Sequence, residues 1–194
     1  QALAAVNNFL SNPKLNQQSR KAGNYRKGVY EFAIDYAKAH PAEQYSFTPK
    51  NMGDNINTVD LEYFPSFTID GKKMIFCRRI NSDEDFYESE LVNGVWSKAH
   101  PLGGRVNTDM NEAAQTISQD GQLLIFTVCN YPEGAGSCVL YFSIRTNNGW
   151  SEAQNIGPAI NTEFWESSPS LSPDKRDLYF ASNRPGGFGG KDIW

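Results

Sequence analysis

Histidine and cysteine are scarce in this chain: two and three respectively among 194 residues. Hydrolytic and metal sites need several converging groups, and neither His40 nor His100, each followed by a proline, has a patterned carboxylate or cysteine beside it. No Gly-x-Ser-x-Gly elbow and no His-Glu-x-x-His motif occurs. The segment PGGFGGKD is no phosphate loop, because Pro185 stands where that motif needs its first glycine and Asp192 where it needs Ser or Thr. No catalytic residue, metal ligand or cofactor is therefore expected. Long apolar runs are also missing: hydrophobic residues make up 39% of the chain but are dispersed, so no segment approaches the roughly 18 to 20 residues of a membrane helix. Charge of one sign is not concentrated either. Eighteen basic and 22 acidic residues leave a net −4 with no basic block, which argues against a nucleic-acid partner. The opening QALAAVNNFL has no initiator Met, basic n-region or cleavage site, as expected of a mature or trimmed product.

What is present falls into two parts with different hydrophobic periods. In residues 1–42, Ala22, Tyr25, Val29, Phe32 and Tyr36 step by three and four, the mark of one apolar helix face, and Pro41 reads as the stop. Leu3, Val6 and Leu10 form a face on a shorter helix before it, with SNPKL as the turn. The prediction is a helical hairpin, which must bury its apolar faces on a following domain or in a helical array.

Residues 53–194 are short β-rich runs separated by Gly, Asn, Asp and Pro. Three segments align without a gap: NTVDLEYFPSFTIDGKKMIF from Asn57, NTDMNEAAQTISQDGQLLIF from Asn107 and NTEFWESSPSLSPDKRDLYF from Asn161. The offsets are 50 and 54 residues, the extra four falling in the loop CNYPEGAGSC. Each unit reads as four antiparallel strands with an Asp-Gly turn at 70–71 or 120–121 and an Asn-Gly turn at 93–94 or 148–149. The second strands, KMIFC, LLIFT and LYFAS, are apolar at consecutive positions and need cover on both faces. Four-stranded sheets recurring about every 50 residues describe propeller blades. The predicted fold is mainly β: a partial β-propeller with blades at about 55–104, 105–158 and 159–194, two complete and most of a third, preceded by the helical hairpin.

The segment PSLSPDKRDLYFASNRPGGFGGKDIW resembles the TolB-type, WD-like propeller repeat. With NINTVDLEYFPSFTIDGKKMIFCRR and the helices before it, the chain also resembles bacterial envelope proteins that join a tetratricopeptide-like region, this propeller and an OmpA-like peptidoglycan-binding domain; some are accessory components of type IX secretion. Three positions depart from the repeat: Val139 stands for an Asp, Gln115 for a Pro, and Lys175 for the turn Gly. The resemblance implies a periplasmic, outer-membrane-associated protein whose partners are other envelope proteins. It implies peptidoglycan contact through an OmpA-like domain, which this chain does not contain, so no residue here inherits that role. A closed propeller needs at least four blades. Continuation beyond Trp194 is the expectation, completion by another chain the alternative.

Glu62, Glu112 and Glu166 recur at one repeat station, either as an acidic collar at a channel mouth that takes a cation or basic peptide, or as carboxylates accepting backbone N–H groups of a neighbouring blade. Trp96 and Trp150 read as inter-blade packing, while Trp165, outside the repeat pattern, is a candidate partner anchor. Cys129 and Cys138 end one hairpin loop on adjacent strands and are either a disulfide or two thiols; the envelope resemblance favours the disulfide. Cys77 has no evident mate. These residues point to a non-catalytic protein-binding and scaffolding module, the alternative being a propeller that gates or accompanies a peptidase or glycosidase.

Overall fold

In a computed structural model, residues 1–40, 48–130 and 136–194 are described. The chain divides into two compact units, Gln1–Lys50 and Asn51–Trp194. In the first, α1 (Ala2–Leu10) and α2 (Gln17–Ala39) form a hairpin. Asn16 caps α2 by accepting the Ser19 N–H at 2.8 Å, leaving one fewer orphan donor at that helix start. Arg20 ties the hairpin by donating to the carbonyls of Leu10 and Asn12, both at 3.3 Å. Val6 is buried in α1, and Gly23 is the buried residue of α2. A Cβ on Gly23 would lie 2.7 Å from Leu10, so the helices approach through a residue that hydropathy ignores. The predicted stripe is not the face that meets α1: Tyr25, Val29, Phe32 and Tyr36 are all exposed. Pro41 lies outside the described residues. No described helix is long and apolar enough to cross a membrane.

The second unit is a partial β-propeller. Blade 1 is built from β1 (Leu61–Phe67), β2 (Lys73–Ile80) and β3 (Asp83–Val92), with two short strands, β4 (Val95–Trp96) and β5 (His100–Pro101), both on the free edge of β3. Blade 2 repeats this with β6 (Asn111–Ile117), β7 (Leu123–Cys129), β8 (Cys138–Thr146), β9 (Gly149–Trp150) and β10 (Gln154–Asn155). Blade 3 has β11 (Glu166–Leu171), β12 (Leu178–Ser182) and β13 (Asp192–Ile193). All pairings within the blades are antiparallel.

The predicted fourth strand is thus split in two, and a serine does the splitting. Ser97 Oγ accepts the Glu90 N–H at 3.0 Å, and Ser89 Oγ donates to the Ser97 carbonyl at 2.7 Å. Ser151 repeats both contacts with Ile144 and Ser143, at 3.1 and 2.7 Å. A side chain therefore takes a ladder position, and the strand turns away beyond it. Each first strand carries a second irregularity at one station. Phe64, Ala114 and Ser168 have φ of 53°, 40° and 56°, and the ladder slips there in β1, β6 and β11. In β1 and β11 the slip leaves Pro65 and Pro169 out of the regular pairing, which accommodates a proline inside a strand, whereas Gln115 of β6 stays paired with Phe126.

Phe76, Phe126 and Phe180 occupy equivalent places. Each is buried at mid-strand, opposite Tyr87, Tyr141 and Trp194 respectively. Burying one such ring contributes about 2–3 kcal/mol. The main core is shared between blades: Ile75 and Phe86 of blade 1 pack with Ile117, Leu124, Phe126 and Val128 of blade 2. The Phe86 and Phe126 rings meet edge-to-face, with centroids 5.2 Å apart.

Blade 1 is also spliced to the outer edge of blade 2. Trp150 N–H donates to the Gly103 carbonyl at 2.9 Å, and Arg105 N–H to the Trp150 carbonyl at 3.0 Å. Gly104 lies between these bonds at φ +108°, where a Cβ would come within 2.2 Å of the Trp150 carbonyl oxygen. Gly94 also has positive φ, +79°, but open space around it. Gly94→Ala should therefore cost about 1 kcal/mol of backbone strain, whereas Gly104→Ala, which must also part the two strands, should cost more than about 3 kcal/mol by urea unfolding.

Candidate functional site

The recurring polar residues all lie where one blade meets the next. Each unit begins with Asn-Thr, and each Thr is held by the Glu four residues on. Glu62 accepts from Thr58 N–H (3.2 Å) and Oγ1 (2.7 Å), Glu112 from Thr108 N–H (3.1 Å) and Oγ1 (2.5 Å), and Glu166 from Thr162 N–H (3.0 Å) and Oγ1 (2.6 Å). Glu112 and Glu166 are fully buried. The acidic-collar expectation is corrected for both, since neither carboxylate is available to a ligand. The neighbouring-blade alternative is corrected too, because the N–H groups accepted belong to the same unit's own leading loop.

That loop presents the asparagine before the Thr to the preceding blade. Asn107 Oδ1 accepts the Phe86 N–H at 2.9 Å while its Nδ2 donates to the Phe86 carbonyl at 3.0 Å. Asn161 does the same to Leu140 at 2.8 and 2.7 Å. A side-chain amide thus stands in for a strand residue and closes the ladder across the blade boundary. Asn57 makes no such pair among the described residues; its Nδ2 donates to Asn51, as the Asn161 Nδ2 also does to Asn155. The repeated Asn-Thr at the head of each aligned segment was the available signal for these clamps, and the residue-type search for catalytic groups passes over it. Gln115 is a second joint residue that sequence reading registered only as a departure. Its Nε2 donates to the carbonyls of Phe64 and Ile75, both at 2.9 Å, and its Oε1 accepts from Ser66 Oγ at 2.6 Å. A proline there could make none of these bonds to blade 1. Lys175, the third departure, adds an exposed ion pair at 2.6 Å to Asp120 of blade 2, one of the bonds that hold the Asp120 carboxyl below its ordinary range.

The electrostatics of the three glutamates differ. Arg78 donates to Glu62 at 2.9 Å and to the Ile56 carbonyl at 2.7 Å, and its guanidinium lies 4.3 Å from the Tyr87 ring centroid. Arg184 reaches Glu166 at 3.2 Å and the Ile160 carbonyl at 2.5 Å, and lies 4.9 Å from the Phe180 centroid. Blade 2 has Val128 and Asn130 at the stations of Arg78 and Arg184, and among the described residues no ion pair reaches Glu112. Burial is the main cause that pushes its carboxyl up to about 7, and the negative charges of Asp85 and Asp83 add to it, against the opposing Thr108 bonds. Cys77 packs against the same segment, its Sγ 3.5 Å from the Glu112 carbonyl, and burial pushes its thiol up to about 12.

Cys129 and Cys138 are opposed in the β7–β8 register and form a disulfide, with Cα atoms 4.0 Å apart. Between them, residues 131–135 of the inserted loop lie outside the described residues. Gly136 lies so close to blade 3 that a Cβ would fall 1.8 Å from the Phe164 carbonyl oxygen, and Cys138 bridges Trp165 in parallel. Trp165 accordingly lies at the joint between blades 2 and 3, at a repeat station shared with Leu61 and Asn111 rather than outside the pattern, and is half-buried. Lys191 Nζ sits 3.2 Å above its ring centroid.

Outward from the joint between blades 1 and 2, an open recess of about 510 Å³ is lined by Ile80, Asn81, Ser82, Asp83, Asp85, Asp109 and Asn111. The inner Oδ1 of Asp85 has no hydrogen-bond partner among the described residues, and burial, followed by Asp83, raises its carboxyl. His40 and His100 lie far apart in the chain, each bonded to a nearby backbone carbonyl.

No family model and no curated protein sequence matches the chain. Among solved structures it superposes on a TolB candidate from Agrobacterium tumefaciens with TM-score 0.51 and 16% identity, over 74% of this chain and 45% of that one. The shared fold is that of the TolB propeller. TolB from Acinetobacter baumannii is 20% identical, with TM-score 0.45, over 67% of this chain and 28% of that one. The chain spans less than half the length of either TolB protein. At these identities the TolB likeness describes architecture.

Two outcomes follow from the joints. Asn161→Ala leaves the buried Leu140 N–H without an acceptor and should lower the unfolding free energy by about 2–3 kcal/mol in urea, whereas Asn57→Ala should cost under about 1 kcal/mol. Glu112 has a folded-state pKa above its unfolded value of 4.5. Its contribution is therefore fully retained below pH 4.5 and lost as pH rises through about 7. Glu112→Gln keeps the acceptor for the Thr108 N–H but no charge, so it should stabilise the protein relative to wild type at pH 8 by up to about 3 kcal/mol and have little effect at pH 4.5, read from denaturation midpoints.

Proposed function

We propose that this chain is a non-catalytic protein-binding and scaffolding module of the bacterial cell envelope. One observation carries the proposal: the polar residues that recur with the repeat, Asn, Thr and Glu, are committed to holding the blades, with Glu112 and Glu166 fully buried. What the repeat offers outward is shaped surface. The acidic recess at Asp83, Asp85 and Asp109 suits a partner segment that presents Lys, Arg or free backbone N–H groups.

We assign the protein to the periplasm in association with the outer membrane, with other envelope proteins as partners and a role in anchoring or in type IX secretion. The repeat motifs of the sequence and the TolB propeller fold support this assignment, as does the Cys129–Cys138 disulfide, a bond that persists in oxidising compartments. Peptidoglycan contact would fall to a domain outside this sequence.

Affinity capture with the purified protein from solubilised envelopes should recover a defined envelope protein, and the double variant Asp83→Asn, Asp109→Asn should reduce its recovery at least tenfold. Capture of no protein, or turnover of a peptide or glycoside substrate by the purified chain, would overturn the proposal.

A further inference from the structure

The glutamates that open blades 1 and 3 are neutralised, Glu62 by Arg78 at 2.9 Å and Glu166 by Arg184 at 3.2 Å. Glu112 is 1% exposed and has no such partner among the described residues. The elements packed against it supply no positive charge. β7 carries no charged residue, Arg78 of β2 is turned to Glu62, and Glu166 of β11 is held by Arg184. β2 also presents the thiol of Cys77, which burial keeps protonated, and β3 presents Asp85 and Asp83, whose charges oppose ionisation of Glu112. A carboxylate in that setting is disfavoured by desolvation and by repulsion together.

What Glu112 holds is the loop that fastens blade 2 to blade 1. It accepts Thr108 N–H and Oγ1 at 3.1 and 2.5 Å, which fixes Asn107 against both backbone groups of Phe86. Beside Glu112 in the chain, Asn111 Oδ1 accepts the Glu84 N–H at 3.1 Å. Both contacts cross the joint. The walls of the recess belong to its two sides, Asp83 and Asp85 on blade 1 and Asp109 and Asn111 on blade 2.

We propose that this joint is a latch, closed while Glu112 is protonated and released as it ionises, so that the loop carrying Asn107 and Asn111 parts from Phe86 and Glu84 and the recess widens. Release lets the carboxylate reach water and leave Asp83 and Asp85 while the antiparallel ladders within each blade stay intact. The Asn161 joint does not share the device, because Arg184 neutralises Glu166 there at any pH in this range. With the closed-state carboxyl at about 7 and the released one at 4.5, closure is strongest below pH 4.5, weakens as pH rises to about 7 and changes little above it. The latch stands whether or not the recess takes the partner proposed above.

The test is amide hydrogen exchange followed by NMR from pH 5 to 8, corrected for the intrinsic base-catalysed rate. Protection of the Phe86 and Glu84 amides should fall roughly 70-fold over that range, the linkage expected of those two carboxyl values. Protection of Leu140, whose N–H is held by Asn161, should stay level. Glu112→Gln should keep Phe86 protected throughout. Asp85→Asn, which removes a repelling charge at a carboxyl whose Oδ1 makes no hydrogen bond, should bring the end of the fall to lower pH. Protection at Phe86 that does not change with pH, a parallel fall at Leu140 from global unfolding, or a fall that persists in Glu112→Gln would overturn the proposal.

Discussion

A sheet whose central strand is apolar on consecutive residues cannot stand alone in water, and the rest of this structure answers to that constraint. KMIFC and LLIFT place side chains on both faces, so each blade is stable only between covers. The main core consequently belongs to no single blade: Ile75 and Phe86 from one sheet are buried by Phe126 and Val128 from the next. Stability is then a sum of unit and neighbour terms, as in other repeat proteins.

Covering a sheet also buries polar backbone where the chain passes between blades, and the repeat spends its polar side chains there. The asparagine closes the ladder across the gap, the threonine and glutamate fix the loop that carries it, and an arginine neutralises the carboxylate while stacking on the aromatic pair at mid-strand. Blade 2 lacks the arginine. Burial without a counter-charge is costly, so Glu112 retains its proton into the neutral range, and the joint around it responds to pH there. Departures from the repeat mark where neighbouring blades are joined by other means: Gln115 makes three bonds to blade 1, and Lys175 pairs with blade 2.

The disulfide is best understood within the same scheme. It closes the hairpin that meets blade 3, where Gly136 touches Phe164 and Cys138 lies beside Trp165. Blade 3 is thus held on blade 2 by the Asn161 clamp on one strand and by this hairpin at the strand's beginning.

The sequence by itself determined the unit and its period, because the alignment from Asn57, Asn107 and Asn161 rests on residues that every blade must place identically. Phe76, Phe126 and Phe180 were legible for that reason: a buried ring at mid-strand tolerates little substitution. Only the tertiary structure decided what the recurring polar residues do. An Asn, a Glu or a Gln has the same side chain whether it serves a ligand or a backbone, and the choice depends on which strand lies within 3 Å, a matter of register between segments some 20 to 50 residues apart. The bulges at Phe64, Ala114 and Ser168 were hidden likewise, since no residue type in common marks them. The helices show the same limit from the other side: periodicity located α2 and its apolar stripe but not the face that meets α1, because Gly23 brings the backbones together by having no side chain to count.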